Sequence, residues 1–80
     1  MKPDDFEILS PISAVQVIAA GRGVKMKHRL RRQHGGVRWR KMKGVALIRE
    51  YNGDVYEAEI HWFEAHGVGR REWKIKRRLA

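Results

Sequence analysis

Residues 44–64, GVALIREYNGDVYEAEIHWFE, decide the fold. Asn52-Gly53 is the strongest short hairpin signal available, because both residues tolerate the positive φ of a tight turn. On either side, apolar and polar residues alternate at the period of a half-buried strand. Gly44 to Tyr51 reads as one strand and Asp54 to Glu64 as its return. A two-residue turn sets Tyr51 opposite Asp54 and fixes the register. Val45 then faces Ile60 and Leu47 faces Ala58, on a core side shared with Trp62. On the other side Gly44 lies opposite His61 and Ala46 opposite Glu59, which leaves open space beside those two polar groups.

Toward the C-terminus, Ala65 to Gly69 reads as a second turn and Arg70 to Leu79 (RREWKIKRRL) as a third strand. With residues 66–69 as the loop, Ala65 pairs with Arg70, Trp62 with Trp73 and Ile60 with Ile75. The apolar residues of three strands then share one face, so local pattern and global fold agree. The same register sets Lys74 opposite His61 and Lys76 opposite Glu59.

Toward the N-terminus the period changes. Val37 to Lys43 alternates weakly and is a further strand or a loop. Gly35-Gly36 is a break. Val24 to His34 is a possible helix with a thin apolar stripe of Met26 and Leu30. Ser10-Pro11 has the form of a helix start, a capping hydroxyl before a proline at the first helical position. Ile12, Val15, Ile18 and Ala19 follow at helical spacing, and Gly21 is a natural stop. Residues 1–9 form a lead-in from which Phe6, Ile8 and Leu9 can tuck against the core. The expected architecture is a single α+β domain over residues 1–80. One or two N-terminal helices precede a three- to four-stranded antiparallel meander.

Charge is segregated along the chain. The net charge is +9, from 18 Lys and Arg against 9 Asp and Glu in 80 residues. Residues 21–44 hold ten bases and no acid, and residues 67–80 hold six bases and one acid. Between them, residues 45–66 hold five acids and one base. Such a field favours a polyanionic partner. The chain has no cysteine, which excludes a disulfide framework, a Cys-type zinc site and a thiol nucleophile. The four histidines have no zinc spacing, and no metal or cofactor is expected. The apolar runs are too short to span a membrane as a helix, and no signal peptide is visible. The length excludes a doubly wound nucleotide fold.

The expected registers gather Glu59, His61, Lys74 and Lys76 on the second face of the sheet. Metal-free RNA cleavage needs a base for the ribose 2′-hydroxyl, an acid for the leaving 5′-oxygen, and cations for the phosphorane. Glu59 and His61 supply base and acid in either assignment, and Lys74 and Lys76 a phosphate clamp; the product would be a 2′,3′-cyclic phosphate. The same four residues are also what ordinary solvated cross-strand pairs look like, worth up to about 1 kcal/mol each. Arg29, Arg31, Arg32, Arg38, Arg40, Lys41, Lys43 and Arg78 are candidates for gripping phosphates. Trp39, among Arg38, Arg40 and Lys41, either stacks on a base or covers the core edge.

The run EIHWFEAHGVGRREWKIKRRL, preceded by HGGVRWRKMKG, resembles small bacterial toxin-type domains of the barnase–EndoU–colicin–RelE group of ribonucleases. The resemblance covers Arg38 to Leu79 and lies in order and character of elements. It implies N-terminal helices, a curved sheet whose concave face cleaves RNA, and action in a bacterial cytoplasm, with delivery as part of a secreted toxin open. It also implies an acidic immunity or antitoxin partner, to which a basic chain is suited. Glu59, His61, Lys74 and Lys76 fall on the strands that supply that group's active residues. Two other readings stand beside this one. One is a non-catalytic nucleic-acid-binding module gripping phosphates with residues 22–43; the other is an interaction domain for an acidic protein.

Overall fold

The computed structural model describes residues 6–21, 24 and 37–80. They form five antiparallel strands: β1 (Phe6–Ile8), β2 (Ser13–Ala20), β3 (Arg40–Glu50), β4 (Val55–Ala65) and β5 (Gly69–Arg78). β3, β4 and β5 are a meander, and β1 and β2 follow one another along the outer edge of β3. The sheet curls into a half-barrel. Among the described residues no helix is long and apolar enough to cross a membrane.

The α+β expectation is therefore corrected: the described chain is nearly all antiparallel sheet. Residues 13–20, expected as a helix, are strand β2. The edge of β3 offers them backbone partners, from Ser13 against Val45 to Ala20 against Arg40. Their β-branched Val15, Val17 and Ile18 suit a pleated strand better than a helix. Ser10, read as a helix cap, instead accepts the Leu47 amide through its hydroxyl at 2.9 Å. Pro11 falls in the break between β1 and β2, where no ladder donor is required. The expected lead-in holds β1, and Phe6 and Ile8 pack against the core. Of the second expected helix, at 24–34, only Val24 lies within the described residues.

The β3–β4 hairpin is where the sequence signal pointed, but its register differs by one residue. Glu50 and Asp54 flank a three-residue loop, with Gly53 donating to the Glu50 carbonyl and the Glu50 amide to the Asp54 carbonyl. Within the loop only Gly53 takes positive φ, at 97°. Asn52 instead uses its side-chain carbonyl to accept the Asp54 amide at 3.0 Å. A one-residue slip turns every side chain of a strand to the other face. Met42, Gly44, Ala46 and Ile48 thus join Tyr56, Ala58, Ile60 and Trp62 in the core, while Val45 and Leu47, expected inside, face outward. Phe6, Ile8, Ile12, Trp73 and Ile75 complete this core.

The β4–β5 turn is a three-residue loop as well, with Ala65 against Gly69. The expected pairs Ile60–Ile75 and His61–Lys74 are present. Two irregularities then separate them from Phe63–Arg71 on one side and Glu59–Arg77 on the other. Glu72 sits at the first with φ of 59°, and Lys76 at the second.

Gly44 is a point of close approach. A methyl group there would stand 2.5 Å from Ile12 Cγ2 and 3.2 Å from the Trp62 ring. Ile12 is stiff at χ1 and cannot swing aside freely. Gly44→Val is expected to destabilise the fold by about 1–3 kcal/mol through overpacking. Urea unfolding followed by circular dichroism measures this, and an unchanged midpoint would contradict the packing described.

Candidate functional site

Glu59 and His61 are two residues apart in β4, so they project from the same face, opposite the core. His61 Nε2 lies 2.7 Å from Glu59 Oε2, and the two side chains are 13% and 16% exposed. Side chains from the strands on both sides flank the pair. On β3, Lys43 stands opposite His61 and Val45 opposite Glu59. On β5, Lys74 stands opposite His61 and Arg77 opposite Glu59. Arg77 Nε donates to Glu59 Oε1 at 3.1 Å. The His61 hydrogen bond, with Arg77 and Lys43 nearby, holds the Glu59 carboxyl below its ordinary value of 4.5, against the opposing effect of its burial. Lys43 and Lys74 make no salt bridge among the described residues. Lys41 and Arg71, opposite Phe63 on its two sides, extend the cationic surface along the same face. Lys41 Nζ lies 6.0 Å from the Phe63 ring centroid.

The arrangement is a carboxylate–imidazole pair with cations from both neighbouring strands around it. A carboxylate accepts a proton, an imidazolium gives one, and ammonium and guanidinium groups hold a phosphate. Among the described residues no group of three or more His, Asp and Glu side chains converges as metal ligands would.

Of the four residues grouped by sequence, Glu59, His61 and Lys74 are brought together. Lys76 is not set opposite Glu59; the β5 irregularity gives that place to Arg77. The open space expected from Gly44 and Ala46 is absent, since both face the core, and Lys43 stands there instead. A shallow cleft of about 160 Å³ does open nearby, lined by Ala14, Gln16, Lys43, Gly44, Val45 and Glu59.

The wider set of expected phosphate-binding residues divides. Arg29, Arg31 and Arg32 lie outside the described residues. Arg38 is exposed. Arg40 is bonded to Glu64 at 2.9 Å, on the face of Trp62 rather than that of His61. Arg78 lies over the Tyr56 ring at 4.5 Å, also at the rim of the core face. Trp39 is buried in a second small cluster with Val24 and Ala65. Sequence reasoning missed Arg77 and Gln16 and did not set Lys43 beside the pair. The three-residue hairpin loop was the signal for Lys43, whereas nothing in the β5 sequence marks its irregularities.

Glu64 lies on the opposite face, beside Trp62 and Arg40. Its carboxylate accepts the Trp62 indole N–H at 2.8 Å and Arg40 at 2.9 Å. Both bonds, the indole bond first, hold its carboxyl below the ordinary 4.5. A depressed folded pKa means that the unfolded chain binds the proton more tightly, so this contribution is intact above about pH 4.5 and lost as pH falls below it. Glu64→Gln is expected to make the acid loss of stability shallower, as read from urea midpoints between pH 7 and pH 3.

Comparison with protein families, with curated proteins and with solved structures gave no match for this chain.

Proposed function

We propose that this protein is a metal-independent endoribonuclease that cleaves RNA by attack of a ribose 2′-oxygen on the adjacent phosphorus. The observation that carries this reading is the Glu59–His61 pair at 2.7 Å, walled by Lys43, Lys74 and Arg77. Glu59, kept ionised by its neighbours, takes the 2′-hydroxyl proton. The 2′-oxygen bonds to phosphorus as the bond to the 5′-oxygen breaks. His61, as imidazolium, delivers a proton to that leaving oxygen, and a 2′,3′-cyclic phosphate remains. Lys43, Lys74 and Arg77 compensate the charge of the phosphorane. A phosphate entering between Glu59 and His61 opens their mutual hydrogen bond, as catalytic contacts in free enzymes commonly differ from those in the loaded state. A protein of this kind needs restraint in its own cell, and the +9 charge suits an acidic inhibitor protein.

The bond from Arg77 to Glu59 favours a second reading. A carboxylate already neutralised twice is also a structural brace, and the same face would then bind nucleic acid without cutting it. The deciding experiment incubates purified protein with total RNA and a labelled oligonucleotide in EDTA, with His61→Ala alongside. Cleavage by the wild type alone, leaving cyclic-phosphate ends, is the expected result. Intact RNA that shifts on a gel, with affinity falling steeply as salt rises, would establish the binding module instead. Neither cleavage nor a shift would overturn both readings in favour of an acidic protein partner.

A further inference from the structure

The cleft beside β2 and β3 adjoins the pair and shares Glu59 with it. Its lining is half small and apolar, from Ala14, Gly44 and Val45, and half polar, from Gln16, Lys43 and Glu59. Gln16 is exposed and paired through its backbone region with Lys43. Its amide makes no side-chain hydrogen bond among the described residues. A carboxamide offers both a donor and an acceptor, which is what the edge of a nucleobase asks for.

Size narrows the occupant. The cleft holds about 160 Å³, well under the roughly 300–1,000 Å³ of a pocket for a drug-sized ligand. A cavity of about 150 Å³ holds one six-membered aromatic ring. Across the strands the order is the Gln16 amide on β2, the Lys43 ammonium on β3 and the Glu59 carboxylate on β4. A base held at Gln16 leaves its ribose and phosphate to reach inward over β3 and β4, where Lys43, Glu59 and His61 stand.

Building on the nuclease reading, we infer that this cleft is a base-recognition subsite for a pyrimidine, with Gln16 as its specificity-determining residue. The ring lies against Ala14 and Val45, and the Gln16 amide pairs with its edge. Its ribose brings the 2′-hydroxyl to Glu59, and its 3′-phosphate reaches Lys43 and Lys74. The scissile bond is therefore the one on the 3′ side of a pyrimidine. Gln16 does no chemistry on the reacting atoms; it chooses which nucleotide presents them.

The test uses oligonucleotides of deoxynucleotides with a single ribonucleotide (C, U, A or G) and compares kcat/KM across the four. The wild type is expected to prefer C and U. Gln16→Leu is expected to lower cleavage at C and U by about tenfold while leaving A and G unchanged, the size of one lost base contact. Gln16→Glu presents acceptors only, so it favours the cytosine amino group and is expected to turn the preference toward C over U. Gln16 is exposed on an edge strand, so neither change threatens folding, and a structural role for Gln16 would not move the base preference. Equal cleavage at all four bases by the wild type, or unchanged ratios in both variants, would overturn the inference and leave the nuclease reading standing. In parallel, affinities are measured for 2′-O-methyl pentanucleotides, which no 2′-oxygen attack can cleave. If the wild type cuts nothing yet binds pyrimidine strands better than purine strands, and Gln16→Leu removes that difference, the subsite stands and the catalytic reading falls. No cleavage and no such difference would overturn both.

Discussion

His61→Gln is expected to lower RNA cleavage by about 10²–10⁴-fold, the usual contribution of one positioned proton carrier. Gln16, Lys43 and Lys74 remain in that variant, so binding of 2′-O-methyl RNA is expected to stay within a few-fold of wild type. Glu59→Gln is expected to lose cleavage to a similar degree, because an amide cannot take the 2′-hydroxyl proton. The two losses are not additive, since either change removes half of one proton circuit. The double variant should be little worse than the worse single one. The pH profile carries the sign of the Glu59 environment. Its carboxyl sits below the ordinary range because it accepts from His61 and lies beside Arg77 and Lys43. Cleavage is therefore expected to persist on the acid side until the pH falls below about 4.5. A profile that collapses well above pH 4.5 on its acid side would show that Glu59 is not the group that must be ionised.

Trp62→Ala is expected to destabilise the protein strongly. Trp62 is 1% exposed and lies at the junction of three strands. Its ring is 4.9 Å from that of Trp73, with Arg70 5.2 Å above its own centroid. Its indole N–H also donates to Glu64. Truncating a buried tryptophan costs about 3–5 kcal/mol. A chain of this length holds roughly 4–12 kcal/mol in all, so one side chain carries a large share of the stability. Trp62→Phe keeps an aromatic ring against Trp73 and Gly44 but removes the indole donor. It is expected to fold with a loss of about 1–3 kcal/mol, from the lost indole bond to Glu64, whose carboxylate keeps Arg40, and from the smaller ring. Urea titrations of the two variants by circular dichroism give both numbers. A Trp62→Ala protein with a near-native midpoint would contradict the core assigned here.

The meander was legible in the sequence because its signals are local. Period-two alternation located β4 and most of β3 and β5, and Asn52-Gly53 located the hairpin. It also showed that Glu59 and His61 share a face and that Lys74 stands across from His61. What was not legible depends on single-residue geometry. Asn52-Gly53 suits a two-residue turn with two positive φ values and also a three-residue loop that ends on glycine. The choice lies in the Asn52 side chain capturing the Asp54 amide, and that choice exchanges Val45 and Leu47 for Gly44 and Ala46 in the core. The irregularity in β5 exchanges Lys76 for Arg77 beside Glu59, and no residue type announces it. At Ser10-Pro11 the same two residues that begin many helices also interrupt an edge strand. The apolar spacing of residues 12–19 fits both outcomes, and only the free edge of β3 resolves it.

The way β1 and β2 attach has a consequence for how the protein opens. β3, β4 and β5 are joined by short loops, so their contacts close at small cost in chain entropy. β2 reaches β3 only across the long stretch between Ala20 and Arg40, and it lays its mostly exposed side chains along one irregular ladder. Few buried contacts hold it. In amide hydrogen exchange its protons are therefore expected to go before those of the meander, by an opening that leaves the meander intact. Gln16 rides on that strand while Glu59 and His61 belong to the part that stays. Warming below the global melting temperature would thus blur the choice of nucleotide before it silenced the chemistry.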